Sequence, residues 1–428
     1  MTGDIERRTM RKVHLNVLLL ALLFQVLNYF DRVNLSFAAL TMGPEIGLTA
    51  IQFGIGASVF FVSYALFEIP SNLAMHRFGA NVWIARILIS CSITAMMMAL
   101  VSGPLSFYLV RFLFGAAEAG LIPGLMLYVT YWYPQSHRAF ATAVITTGVG
   151  IVGVLAGPVS GLIIDATDGM LGLSGWRWMF ILEAAPLLLI GIGARYWLAN
   201  DPATAPFLAP DERQWLSERM AKERAQLDGH GRLGEAVRNP RVWLLGLIYF
   251  LFLVAVYALQ MWLPQIIKSV GDTSNLTASL LSAGPPFLSV IFAILLGLSS
   301  DRHQERRLHL ALPLIIGGGL LIVSTTVTSP ALAYLVLCLA WGSLFAPLGI
   351  FWAMAGSFLT GVAAAAGLAL INTLAQFGGL VGPTLIGYAK DWTGDFAMAI
   401  ALIGCFPIAA GLLALARGRQ PAARLRQA

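Results

Sequence analysis

Twelve apolar runs of about 20 residues or more, each bounded by turn residues or charge, constrain this 428-residue chain more than any other feature. They lie near Val13–Leu40, Ile51–Met75, Trp83–Val101, Phe107–Tyr131, Ala139–Ile164, Trp176–Leu198, Val242–Ile267, Leu276–Leu298, Leu308–Thr328, Ala331–Phe358, Ala363–Ala389 and Phe396–Ala416. Lipid offers no hydrogen-bond partner to an open strand edge, so runs of this length imply membrane-spanning helices. Composition agrees. Charged residues make up 11% of the chain and hydrophobic residues 58%, where a soluble domain averages about 25% charged. So few charges cannot supply the polar shell of a water-soluble enzyme, and a chain this apolar is not disordered. The expected fold class is an all-α membrane protein: an N-terminal six-helix bundle (1–199), a linker (200–241) and a C-terminal six-helix bundle (242–428). The first run is too long for a cleaved signal and reads as a retained span.

The net charge of +6 suggests nucleic acid until the basic residues are placed. One set of loops and tails holds Arg7, Arg8, Arg11, Lys12, Arg77, Arg138, seven Lys/Arg between Arg213 and Arg241, Arg302, Arg306, Arg307 and the four C-terminal arginines. The opposite loops hold only Arg177, Lys268 and Lys390. The excess is therefore a topology signal that puts both termini and the central loop in the cytoplasm, and no nucleic-acid partner is expected. Within that loop, Trp215, Leu216 and Met220 recur at helical spacing after Pro210, which suggests a short amphipathic linker helix on the inner membrane face. Cys91, Cys338 and Cys405 lie inside apolar runs without metal-ligand spacing, so no metal, cofactor or disulfide is expected. No nucleophile–base pair points to an enzyme.

The two halves share landmarks at one offset of 225 residues. Asn72-Leu-Ala-Met-His76-Arg77 after the second run matches Gly297-Leu-Ser-Ser-Asp301-Arg302 after the eighth. Gly153-x-x-x-Gly157-Pro158 matches Gly378-x-x-x-Gly382-Pro383. A duplicated six-helix unit with a cavity between the repeats suits alternating access.

The Gly-x-x-x-Asp-Arg turn and the six-plus-six plan resemble the major facilitator superfamily. Finer matches resemble its anion:cation symporter family: Asn28-Tyr-Phe-Asp-Arg-Val-Asn, Phe67-Glu-Ile-Pro-Ser-Asn72, Arg111-Phe-Leu-Phe-Gly-Ala-Ala-Glu118 and Gly175-Trp-Arg-Trp. Within that family the chain is most similar to bacterial transporters of tartrate-like and other organic acids, which implies the bacterial inner membrane. In proton-driven members the carboxylates matching Asp31 and Glu118 are implicated in proton coupling, and the arginines matching Arg32 and Arg111 in anion binding. The turn motif implies gating roles for Arg77, Asp301 and Arg302. Asn72 and His76 stand where the superfamily usually has Gly and Asp; His76 is a minor candidate for a pH sensor. The Gly-Pro segment of the fifth run resembles a motif of antiporters, but its echo in the eleventh favours a packing role.

The residues themselves support the same site. A charge near the bilayer centre costs about 2.5–3.5 kcal/mol on insertion scales, and ion pairs there add little stability over apolar replacements. Asp31, Arg32, Arg111 and Glu118 therefore need another reason: arginine forks for a substrate carboxylate, and carboxylates that take and release a proton. The offset of 225 carries Asp31, Arg111 and Glu118 onto Val256, Val336 and Ser343, so the second half is expected to supply an uncharged wall. Candidates there are Gln260, Trp262, Asn372 and Gln376, with Tyr29 completing the pocket and Asn28 and Asn34 nearby. An aromatic substrate would use Trp262, Phe351 or Trp352. Glu68 is expected to meet a donor near the inner end of its span, and Glu183 to meet helix ends or the indoles of Trp176 or Trp178.

The sequence thus reads as a monomeric proton-coupled symporter of a small organic carboxylate. The alternatives are an exporter or exchanger of organic anions or drugs and, from another class, a membrane sensor, for which the loops are too short.

Overall fold

The computed structural model describes residues 2–226, 238–356 and 361–416. Among them twelve helices are long and apolar enough to span a membrane. They are α1 (Asp4–Glu45), α2 (Ala50–Met75), α3 (Ala80–Leu100), α4 (Pro104–Trp132), α5 (Gln135–Thr167), α6 (Gly175–Trp197), α7 (Pro240–Gly271), α8 (Asn275–His303), α9 (Arg307–Ser324), α10 (Pro330–Ala355), α11 (Gly367–Thr393) and α12 (Ala397–Ala416). No strand occurs among the described residues. The fold is all-α, as the long apolar runs require.

Three helices are not continuous. In α1, Asn34 forms a turn between helical segments ending at Val33 and starting at Leu35. In α4, Ala119 leaves the helical region and Gly120 adopts φ +89°, a left-handed conformation that costs glycine little. A Cβ at Gly120 would also lie 2.5 Å from Ser71 Oγ. The break frees the Ala117 carbonyl, which accepts a hydrogen bond from Arg86 Nη1 at 3.2 Å. In α10, the helix ending at Phe345 restarts at Leu348 across Pro347. The α4 and α10 breaks occupy matching positions in the two halves. Such paired interruptions mark binding sites in transporters built from repeats.

The two halves meet along α2–α11, α5–α8 and α1–α7. Close contacts between the halves lie toward the end opposite the N-terminus. Asp391 at the end of α11 accepts from the Ala50 and Ile51 N–H groups that open α2, at 3.0 and 2.8 Å. Deeper along the same seam Ser58 and Thr384 share a hydrogen bond of 2.8 Å. A Cβ on Gly157 would approach the Ser279 carbonyl oxygen to 2.2 Å, so only glycine lets α5 and α8 close this far. Trp262 seals the centre, edge-on to Phe53 at 4.9 Å and to Phe396 at 5.6 Å.

Pro210–Gln226 forms the linker helix expected from its spacing. Its apolar side does not rest on a membrane face. Leu216 and Met220 are buried against Met10, Val13 and Trp132, because intramolecular apolar surface lies within reach. Lys12 and Arg8 reach the Glu212 carboxylate at 2.8 Å, and Arg8 also pairs with Asp211. Burial pushes the Glu212 carboxyl up, but the Lys12 and Ala209 hydrogen bonds and the Lys12 and Arg8 charges outweigh it, holding it below the usual range.

Candidate functional site

The site forms where α1, α2 and α4 meet α7. Small residues permit that meeting. The absent Cβ of Gly56 would overlap the Phe107 ring, and that of Gly115 would lie 2.3 Å from the Phe60 carbonyl oxygen. With α2 and α4 so close, the long side chains of Arg32 and Arg111 fold inward and are almost wholly buried.

Arg32 and Glu118 come together. Arg32 Nη1 lies 3.7 Å from Glu118 Oε1, and Asn28 Nδ2 donates to the same oxygen at 3.0 Å. Glu118 closes the first segment of α4, so the partial negative charge of that helix terminus adds to the attraction for Arg32. The Arg32 guanidinium carbon stands 4.9 Å from the Phe60 ring centre, 5.4 Å from Phe61 and Tyr64, and 5.9 Å from Tyr257. This aromatic cage holds a cation with little desolvation penalty. Arg32 Nη2 and Glu118 Oε2 are buried without a hydrogen-bond partner among the described residues. The pair is therefore incompletely satisfied on both sides.

Arg111 does not pair with a carboxylate at ion-pair distance among the described residues. Its Nε donates to the Gly56 carbonyl at 3.3 Å and its Nη2 to Ala57 at 3.5 Å. Its guanidinium carbon also lies 4.9 Å from the Phe60 ring, so Phe60 contacts both arginines. Asp31, next to Arg32 in sequence, turns away from the cage. Its Oδ1 accepts from Asn34 Nδ2 at 3.5 Å, and the same nitrogen donates to Glu183 Oε2 at 3.1 Å. The four charges thus split into Arg32, Arg111 and Glu118 on one side and Asp31 on the other.

The second half supplies the expected uncharged wall in part. Gln260 Nε2 donates to Tyr29 Oη at 2.7 Å, joining α7 to α1. Tyr257 Oη donates to Gln376 at 2.8 Å, and its ring packs 4.5 Å from Phe61. Asn372, one helical turn before Gln376, is half-buried and makes no hydrogen bond with this group. Trp262 is committed elsewhere: its Nε1 donates to the Pro383 carbonyl at 3.1 Å in the closed seam. Phe351 and Trp352 pack on Tyr249, at 4.6 and 5.2 Å.

Other expected residues fall outside the cage. Arg77 is exposed and lies over Phe78 at 5.6 Å, while Asp301 and Arg302 are exposed and form no ion pair among the described residues. The His76 side chain lies outside the described residues. The acid that organises the α8–α9 turn is Glu305, which accepts from the Leu308 N–H at 2.8 Å and pairs with His309 at 3.0 Å. Glu68 meets no described donor; the Asn72 amide bonds to its backbone carbonyl instead. Glu183 does not meet the indoles, which are taken: Trp176 donates to Glu45 at 2.6 Å and Trp178 to the Met170 carbonyl at 3.0 Å. It accepts instead from Ser160 Oγ at 2.7 Å and from Asn34.

The sequence reading missed the cage aromatics and Tyr257. Phe60, Phe61 and Tyr64 recur at helical spacing on a half-buried span, a signal indistinguishable from core packing until Arg32 is placed beside them. The interruptions at Gly120 and Pro347 were likewise not read from the sequence.

Chemically, Arg32 is a buried cation held by one carboxylate, and breaking such a pair without a substitute costs about 3–5 kcal/mol.

Comparisons with known proteins identify the family. The Major Facilitator Superfamily model matches residues 21–383. A "Putative tartrate transporter" of Agrobacterium vitis is 38% identical over 98% of this chain and 96% of its own. A quinolone resistance transporter of Acinetobacter baumannii is 36% identical over 93% of this chain and 92% of its own. Among solved structures, an inward-facing, occupied bacterial homologue of the human lysosomal transporter Spinster superposes with a TM-score of 0.76. It covers 94% of this chain and 96% of that one at 18% identity, a likeness of fold. The chain is a multi-pass membrane transporter and belongs to the major facilitator superfamily.

Proposed function

We propose that this transporter carries a small organic carboxylate into the cell together with protons. The observation that carries the reading is the Arg32–Glu118 pair: a buried guanidinium in an aromatic cage, held by a single 3.7 Å contact to a carboxylate that a substrate carboxylate can replace. Arg111, on the other contact of Phe60, offers a second fork to a dicarboxylate or to a hydroxyl beside the carboxylate. Tyr29 and Gln260, joined to each other at 2.7 Å, are the candidate partners of substrate hydroxyls, with Asn372 as a further candidate. Asp31 and Glu118 carry protons, and Glu118 exchanges its proton for the release of Arg32. The similarity to the Agrobacterium vitis protein supports a tartrate-like substrate.

The distribution of Lys and Arg supports cytoplasmic termini. The end where Asp391 meets α2 is then the outer one. Arg77, Asp301 and Arg302 engage partners when the inner end closes in its turn. Anion and proton together favour the transition because they bind the two conformers differently.

A panel of carboxylates, including tartrate and sugar acids, screened for thermal stabilisation of the purified protein tests the substrate class. Any hit is then measured for uptake into proteoliposomes with and without an inward proton gradient. Accumulation dependent on the gradient supports the reading, and gradient-independent equilibration contradicts it. The similarity to the Acinetobacter baumannii protein favours a second reading, export of a drug. That reading expects stabilisation by quinolones and outward movement against the proton gradient.

A further inference from the structure

Three buried carboxylates, not two, lie among the first six helices, against two buried arginines: Asp31, Glu118 and Glu183 with Arg32 and Arg111. Arg32 is taken up by Glu118, and Arg111 by the carbonyls of α2. Asp31 and Glu183 remain, 152 residues apart in sequence and joined through one side chain. The Asn34 amide nitrogen spends its hydrogens on one oxygen of each acid, at 3.5 and 3.1 Å. The Ser160 hydroxyl completes Glu183 at 2.7 Å. Asp31 Oδ2 is buried with no donor at all.

The surroundings offer no compensating charge. Arg32 turns from Asp31 toward Glu118 on α4. From α3, Arg86 is held by the Ala117 carbonyl and the Trp83 ring, and Cys91 is buried and uncharged. α5 contributes only the Ser160 hydroxyl. No cation lies within ion-pair distance of Asp31 or Glu183 among the described residues. Two unpaired carboxylates sharing one amide inside a membrane cost several kcal/mol per ion. One proton removes the repulsion between the two acids and the cost of one of the ions, and brings the net charge of the five buried groups from −1 to zero.

We propose that Asp31 and Glu183, bridged by Asn34, hold one proton between them at a site separate from the Arg32–Glu118 pair. Glu183, with two donors, is the member satisfied as an anion. Asp31, with a donorless oxygen, is the member that carries the proton. The use of this proton in transport rests on the proton-coupled reading above; its presence does not. Because Asp31 neighbours Arg32 on α1, and Glu183 sits on α6, the shared proton ties the anion site to a helix on the far side of α1. Loss of the proton would set two like charges against each other across the α1–α6 contact, so its occupancy is a means of biasing how those helices pack.

The direct test is infrared spectroscopy of the purified protein, where the C=O stretch of a protonated carboxyl stands apart from carboxylate bands and shifts in deuterated water. The native protein is expected to show such a band at neutral pH. Asp31→Asn should abolish it, since Glu183 then keeps two donors and no charged neighbour within the pair, and Glu183→Gln should shift and weaken it, since Asp31 stays buried but loses the repulsion. Ser160→Ala removes a donor but neither acid, and should shift the band without abolishing it. Absence of the band from the native protein, or a band indifferent to replacement at 183 and 160, overturns the proposal. If Glu183→Gln does not fold, the native band and its response to Ser160→Ala decide the matter. In proteoliposomes, Glu183→Gln should lower the number of protons entering per anion, read from the reversal potential, while substrate counterflow persists and Glu183→Asp restores the native ratio. A native protein whose uptake ignores the proton gradient contradicts the coupled-symport reading and leaves the infrared result to stand by itself.

Discussion

The first six helices and the last six share their mechanics and differ in their chemistry. Both halves break a helix at matching positions, after Glu118 in α4 and after Phe345 in α10. Both place Gly-x-x-x-Gly-Pro in a helix at the seam, Gly153 to Pro158 and Gly378 to Pro383. Among the described residues of the twelve spans every buried charge is in the first half, and the second contributes Tyr257, Gln260 and Gln376 as uncharged partners. A rocking motion needs two like bodies. Recognition of an anion needs only one charged wall, and a second set of buried charges would add desolvation cost without adding contacts.

Even the shared seam motif is used differently. Gly157 brings α5 against α8 of the other half, its missing Cβ 2.2 Å from the Ser279 carbonyl oxygen. Gly382, its counterpart, brings α11 against α7 of its own half, 2.2 Å from the Val254 carbonyl oxygen. The contact from α11 to α2 runs instead through Gly379 against Phe61 and Gly387 against Ala50. Gly157 therefore controls closure between halves and Gly382 packing within one, while Gly379 and Pro383 of the same segment meet α2 across the seam.

The largest effect expected from this comparison is at the charged wall. Arg32→Ala or Arg111→Ala removes charge-assisted hydrogen bonds worth about 1.5–3 kcal/mol each, so the concentration of anion for half-maximal uptake should rise roughly ten- to a hundredfold. Lysine should not restore the native value at either position, because the planar fork is lost. Undiminished affinity in Arg111→Ala would remove that residue from the site.

The two seams come next. Gly157→Ala should oppose closure of the outer end by about 1–3 kcal/mol, raising the reactivity of an outer-cavity cysteine toward an impermeant thiol reagent. Gly382→Ala should lower the melting temperature by a comparable energy with little change in that reactivity. Equal behaviour of the two variants would erase the distinction between the seams.

On the uncharged wall, Gln260→Ala breaks a neutral hydrogen bond to Tyr29 worth about 0.5–1.5 kcal/mol. Uptake affinity should fall only two- to tenfold, and a loss as large as that of Arg32→Ala would contradict the asymmetry. Smallest is the linker. Glu212 is held below its usual range by Lys12 and Arg8, so its contribution is present above the unfolded value of about 4.3 and is lost as pH falls through the folded one. Hydrogen exchange in Pro210–Gln226 should therefore accelerate on acidification, and less so in Glu212→Gln.

Much of this was legible in the sequence, and what was not has a common cause. Length and hydropathy reveal spans because lipid leaves a helix no alternative, and charges within spans stand out because each is costly. Partners across helices leave no such trace. Glu183 was expected to meet Trp176 or Trp178, seven and five residues away, yet its partners Asn34 and Ser160 come from α1 and α5. Arg111 hydrogen-bonds the Gly56 and Ala57 carbonyls, partners from α2 that the sequence did not mark. The linker helix was placed by its spacing, but its apolar face found protein rather than membrane.

The central claim is that Glu118 exchanges a proton for the release of Arg32 to the anion. It is tested most directly by Glu118→Gln in proteoliposomes loaded with a carboxylate identified by thermal stabilisation. Counterflow of labelled anion should persist, and accumulation driven by a proton gradient should be abolished. Accumulation at the native level would contradict the account.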